Sequence, residues 1–133
     1  MAIQTELLSG IQRVQFAIGA PISDPTWRSG LSRAVAQLRA AFSAHVDDTE
    51  GPDGHYAGLL EHAPRLARGV NDLVVEHRDV LAAFNALEDT MEQVSPDRVR
   101  RQAAHVLTKV GRHRQRGADL IYEAYVVDIG GET

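Results

Sequence analysis

The sequence predicts an all-α fold, an up-down-up-down antiparallel four-helix bundle, on three observations. Apolar residues recur at alternating steps of three and four along most of the 133 residues, and no sustained period-two alternation competes with them. Clusters rich in proline and glycine, "GAPISDP", "EGPDGHY" and "VSPD", interrupt that periodicity. The connections they define are short, which sets consecutive helices side by side and opposed. The length suits one compact domain, residues 1–133, and a balance of 44% hydrophobic to 24% charged residues is that of a globular chain.

The first helix is predicted from about Ile3 to Ile18, with Leu7, Ile11, Val14 and Ile18 on its inner face; Gly19 and Pro21 end it. The second follows Asp24 as N-cap and Pro25 at the first helical position. Its seam reads Trp27, Leu31, Val35, Leu38, Phe42, His45 and Thr49, with Trp27 a large core filler near the turn. After "EGPDGHY", the stretch "AGLLEHA" is briefly helical and Pro64 opens the third long helix, whose seam is Leu66, Val70, Leu73, His77, Val80, Phe84 and Leu87. Ser95 or Pro96 starts the fourth, running to about Asp128, where "IGG" stops it.

Composition removes several classes of function. There is no cysteine, so disulfides, thiolate metal sites and thiol catalysis are excluded. No apolar run approaches the ~20 residues of a membrane span, and no basic-then-apolar leader is visible, so the expected setting is cytoplasmic with no membrane partner. A net charge of −4 argues against nucleic acid. One region departs from that average: seven of the fourteen basic residues lie between Arg98 and Arg116. An anionic partner is one reading of this run; a solvated face pairing with acidic neighbours is the preferred one. No Ser-His-Asp arrangement, phosphate-binding glycine loop or paired-acid motif stands out, so no catalytic residue is assigned and a binding role is favoured over an enzyme.

The fourth seam carries the main anomaly. Val99, Ala103, Val106, Val110, His113, Gly117, Leu120 and Ala124 are all apolar or small except His113. With His45 and His77, three helices each place one imidazole where a leucine belongs. In opposed helices, two residues are level when equally far from the connecting turn, because each residue rises ~1.5 Å. The midpoint of positions 77 and 113 is Ser95, inside "VSPD"; that of 45 and 77 is Glu61, just before Pro64. The spacing therefore predicts three histidines at one height. Buried without partners they would each cost roughly 1–3 kcal/mol, and a metal ion would satisfy all three lone pairs at once. A plain hydrogen-bonded cluster is the other reading. Glu50, five positions after His45, and Glu76, beside His77, are the carboxylates that could join a metal.

"FSAHVDDTE", "VVEHRDV" and "VGRHRQRGADL", in that order on successive helices, resemble the hemerythrin-like, or HHE cation-binding, family over nearly the whole chain. The resemblance implies a four-helix bundle holding two irons through histidines and bridging carboxylates, and binding oxygen or other small diatomics, or serving in iron and redox sensing. His45 matches the histidine of a His-x-x-x-Glu motif whose acid is replaced by Thr49, with Glu50 next to it. Glu76-His77 matches the acidic-His motif. His113 matches the last motif, but the expected acid falls at Gly117 or Ala118. The first-helix histidine has no counterpart, since a residue level with His45 would precede the first helix.

The leading expectation is thus one ion or a nonstandard metal pair, iron or else zinc, on His45, His77 and His113, with Glu50 and Glu76 in support and open positions for oxygen, nitric oxide or peroxide. The alternative is a bundle that has lost its metal and serves as a scaffold, its histidines bonded to each other, to Tyr122 or Tyr125, or to water. Gly117 reads as room beside His113 or as tight helix packing. His55 and His62 could move toward a metal. A short first helix leaves an apolar face that a second copy could cover, giving a homodimer.

Overall fold

The structure, a computed structural model, describes the backbone of residues 2–127 and the side chains of residues 5–126. Among the described residues all regular structure is helical: four long helices, α1 (Ala2–Gly19), α2 (Trp27–Glu50), α4 (Ala67–Thr90) and α5 (Pro96–Tyr122), and one short helix, α3 (His55–His62). No helix among them is long and apolar enough to cross a membrane. α1 packs against α2 and α5, α2 against α4, and α4 against α5, so the long helices enclose a four-sided interior.

Local chemistry explains most of the boundaries. Ser95 caps α5, its hydroxyl accepting from the Arg98 amide at 3.4 Å; Pro96 occupies the first helical position and Asp97 lies in the first turn. An acid there complements the helix dipole. α2 begins later than its sequence predicts. Thr26 is the residue before the helix, and the Asp24 carboxylate accepts from both the amide and the hydroxyl of Thr26 at 2.8 Å. Asp24 and Pro25 therefore build the turn that enters the helix, not its first turn. Pro64 opens a 3₁₀ turn, Pro64–Leu66, that leads into α4. α5 gives way at Glu123 to a π turn, Glu123–Val127, and the predicted end at Asp128 lies outside the described residues.

The core has two parts. The larger holds Leu7 and Val14 of α1, Leu31, Leu38 and Phe42 of α2, Val80, Phe84 and Leu87 of α4, and Val99, Val106 and Val110 of α5. The smaller is built from Tyr56 and Leu59 of α3, Leu66, then Val70 and Leu73 of α4, with Leu120 and Ala124. α1 contributes to the first cluster and not the second, so α3 lines the interior where α1 does not. Fully burying one Leu or Phe side chain is worth roughly 1.5–3 kcal/mol, and this stripe provides the rigid frame for the layer between the clusters. Trp27 is buried as expected, with the Arg100 guanidinium 5.4 Å above its ring.

Two arginines tie connections together at the end of the molecule remote from the histidines. Arg28 at the start of α2 donates to the carbonyls of Met91 and Val94 in the α4–α5 turn. Arg100 donates to the carbonyl of Ala20, just past α1. Along the sides, Arg39 meets Glu88 at 3.0 Å and Lys109 meets Asp79 at 2.6 Å. Such exposed pairs are worth about 0–1 kcal/mol each, but they record which residues are level.

Candidate metal centre

His45, His77 and His113 form the layer between the two core clusters. In α4, His77 falls between Leu73 of the smaller cluster and Val80 of the larger; in α5, His113 falls between Leu120 and Val110. All three are buried, His77 and His113 at 1% exposure. Phe42 forms the floor, its ring centroid 5.5–5.7 Å from each imidazole. The equal-height expectation holds: one ligand atom from each histidine lies within 4.8 Å of the other two.

The orientation of the rings follows from what holds their other nitrogens. Glu76 Oε1 sits 2.6 Å from Nδ1 of His113, and Glu50 Oε2 bonds to Nδ1 of His77. An ionised carboxylate only accepts, so each Nδ1 carries a proton, and in the neutral ring each Nε2 keeps its lone pair. Those Nε2 atoms point inward. Nε2 of His113 is 3.1 Å from Nε2 of His45, and Nε2 of His77 is 3.2 Å from the Tyr56 hydroxyl. The two predicted acids are thus brought to the site as partners of the imidazoles, the arrangement by which carboxylates fix the tautomer and raise the basicity of metal-binding histidines. Glu76 is itself held by Arg116, which bonds to its other oxygen.

Charge at the centre is set by burial. Desolvation first, then the neighbouring His113, His77 and His55, holds the His45 pKa down at about 4. Burial also lowers that of His113, although the Glu76 bond and charge pull it upward. Both rings are therefore neutral at pH 7, the state in which imidazole binds a metal. Burial pushes the Tyr56 phenol up to about 12, so it stands as a protonated hydroxyl.

Tyr56 is the site residue that sequence reasoning missed. It is buried, stacks on His77 with ring centroids 5.7 Å apart, and supplies from α3 a polar group on the side of the layer that α1 does not reach. The hydroxyl expected from Tyr122 or Tyr125 comes from Tyr56 instead. Tyr122 is 59% exposed, and Tyr125 stacks on His62 at 4.4 Å. His62 is thereby engaged outside the cluster, and His55 is exposed, near enough only to bear on the charge of His45. Thr49, at the place of the missing acid, turns its hydroxyl back to the carbonyl of His45 at 2.8 Å. Tight packing does not explain Gly117, since a Cβ added there would meet nothing within 4 Å.

The loop between α2 and α3 positions Tyr56. Its last residue, Gly54, is enclosed by carbonyl oxygens: an added Cβ would lie 2.7 Å from that of Thr49, 2.8 Å from that of Asp48 and 2.9 Å from that of Gly51. Only glycine lets the chain reverse this closely beside the end of α2 and bring α3 back over the layer.

The donors suit a transition metal. Two nitrogens bound at about 2.0–2.1 Å to one ion are at most about 4.2 Å apart. The separation of 3.1 Å between His45 and His113 falls inside that limit, and a set within 4.8 Å needs only small ring shifts to meet it. Three buried imidazoles could therefore hold a metal ion, and nitrogen donors suit a transition metal better than a hard ion such as calcium. No protein-family model matches the chain, and neither does any curated protein or solved structure. The reading of this site rests on its geometry.

Proposed function

We propose that this protein is a hemerythrin-like, cytoplasmic metal-binding bundle of up-down-up-down topology that holds a single iron ion on Nε2 of His45, His77 and His113. The observation that carries this reading is the combination of three convergent donors with a carboxylate on Nδ1 of two of them. A core that wanted only apolar filling has no use for that arrangement. The opposed topology is supported by the level pairs: Asp79 with Lys109, Glu76 with His113 and Thr90 with Gln102 advance along α4 as they retreat along α5.

Iron held by three imidazoles keeps positions free for a small exogenous ligand, and its chemistry there would be the binding of oxygen, nitric oxide or peroxide. The chain's own contribution is to exclude water, to fix the imidazoles and to present one hydroxyl. Phe42 and the two apolar clusters dry the layer. Glu50 and Glu76 orient His77 and His113. The Tyr56 hydroxyl, free to turn from His77 Nε2 once that lone pair is used, is the hydrogen-bond donor nearest to a small ligand beside His77. Among the described residues no side chain near the layer is arranged as a nucleophile, which favours reversible binding over covalent chemistry. The exposed Leu8 and Phe16 of α1 provide the face for the homodimer that the sequence suggests.

A second reading is favoured by one observation. The hydrogen bonds of the layer close on themselves: Tyr56 donates to His77, His77 to Glu50, His45 to His113, and His113 to Glu76. A metal-free scaffold needs nothing more. Binding an ion requires His45 to move its proton from Nε2 to Nδ1, which separates the two readings. Anaerobic addition of ferrous iron followed by nitric oxide tests the first. A new visible absorption that saturates at one nitric oxide per chain supports it, and an unchanged spectrum with wild-type protein favours the scaffold.

A further inference from the structure

A concavity of about 530 Å³ shares no residue with the histidine layer. It is a groove between α4 and α5, open to solvent along its length. One wall is the strip Ala82, Ala83, Ala86 and Leu87 of α4, with Val106 of α5 at the base. The other carries Arg98, Arg101, His105 and Lys109, at steps of three, four and four, which is one face of α5. Part of the basic run is accounted for by acidic neighbours: Lys109 bonds to Asp79 and Arg116 to Glu76. Arg98 and Arg101 have no side-chain partner among the described residues, in a chain of net charge −4.

We propose that this groove receives an amphipathic helix of a partner protein, its small apolar ridge on the alanine strip and its flanking carboxylates on the α5 cations. Three features select that occupant. The donors not taken up by Asp79, namely Arg98, Arg101 and His105, extend over roughly 10 Å of α5 at ~1.5 Å per residue, whereas a ligand with one anionic head calls for donors gathered at one point. Ala82 and Ala86 are exposed, so the groove is too shallow to take an alkyl chain out of water. A helix satisfies its own backbone and needs only one face covered. Alanines also let a third helix axis approach to the short end of the usual 8–10 Å range. A polynucleotide would find no Phe, Tyr or Trp on either wall to stack on.

The test uses the full chain and a fluorescein-labelled synthetic peptide of about five helical turns, alanine and leucine along one stripe and glutamates on both flanks. The same peptide with lysines in place of the glutamates is the control. Because the chain as a whole repels acidic peptides, saturable binding of the glutamate peptide is diagnostic. The expected result is binding that weakens at least about tenfold in the Arg98→Glu/Arg101→Glu double variant and in Ala86→Glu, and that weakens as the Debye length shortens with added salt. Circular dichroism and melting of both variants, which alter exposed positions, establish that they keep the fold. Equal affinity for the two peptides, or no loss on reversing the arginines, would overturn the proposal. So would binding of phosphatidylserine vesicles through the same arginines without binding of the glutamate peptide.

Discussion

Glu76 and His113 are joined at 2.6 Å between Oε1 and Nδ1, across the interface of α4 and α5, with Arg116 closing on the other carboxylate oxygen. This contact turns a core histidine into an oriented donor. It commits the proton to Nδ1, aims Nε2 at His45, and is itself only lightly exposed. A histidine serving as mere filler would have no need of a charge beside it.

Replacing Glu76 by glutamine keeps the size and removes the charge. Metal stoichiometry should be unchanged, and affinity in competition with a chelator should fall about 10–100-fold, the usual effect of losing such a carboxylate. Affinity equal to that of the wild type would mean that the carboxylate serves only the fold.

Tyr56→Phe deletes the hydroxyl that meets Nε2 of His77 and leaves the ring stacked. In the metal-free protein this should cost about 1 kcal/mol of urea stability. In the metal-loaded protein the cost should shrink, because Nε2 is then engaged by the ion. A cost of equal size in both forms would count against coordination through His77.

The metal-free protein should lose stability in mild acid. The His45 pKa is lowered in the folded state, to about 4 from an ordinary 6.5, so between these values the unfolded chain binds more protons than the folded one. Stability is therefore complete above pH 6.5 and is lost as pH falls toward 4, by on the order of 3 kcal/mol for this one group. Denaturation midpoints across that range for the wild type and His45→Gln check it: the slope should flatten in the variant.

Gly54→Ala should disturb α3 more than the rest of the fold. Its methyl would meet three carbonyl oxygens at 2.7–2.9 Å, and a clash of that kind costs roughly 1–3 kcal/mol. Hydrogen exchange should show faster amides in His55–His62 while those of α5 keep their protection. Uniform acceleration, or none, would contradict the positioning role given to this loop.

Much of this site was legible because helical spacing and height are arithmetic. His45, His77 and His113 occupy seam positions, and the breaks at "VSPD" and before Pro64 lie midway between them, so their meeting follows from 3.6 residues per turn and an equal rise. Glu50, beside the seam residue Thr49, and Glu76, beside His77, were legible as acids near the layer, but not their partners, which are His77 and His113 on other helices. Tyr56 was hidden for a different reason. It follows the "GPDG" turn in an eight-residue helix, too short to display a periodic face; only the continuation Tyr56, Leu59, Ala63 hinted at its inward side. Asp24 misled because a side chain that caps a helix and one that braces the preceding turn have the same sequence signature.

Metal content of the purified chain bears most directly on the central claim. After anaerobic reconstitution with ferrous iron and removal of unbound ion, elemental analysis should find about one equivalent per chain in the wild type. It should find less than about a tenth in a His45→Ala/His77→Ala/His113→Ala variant whose helical circular dichroism is retained. A wild type that retains no more iron, zinc or other transition metal than that variant would contradict the account and leave a hydrogen-bonded histidine layer in a helical scaffold.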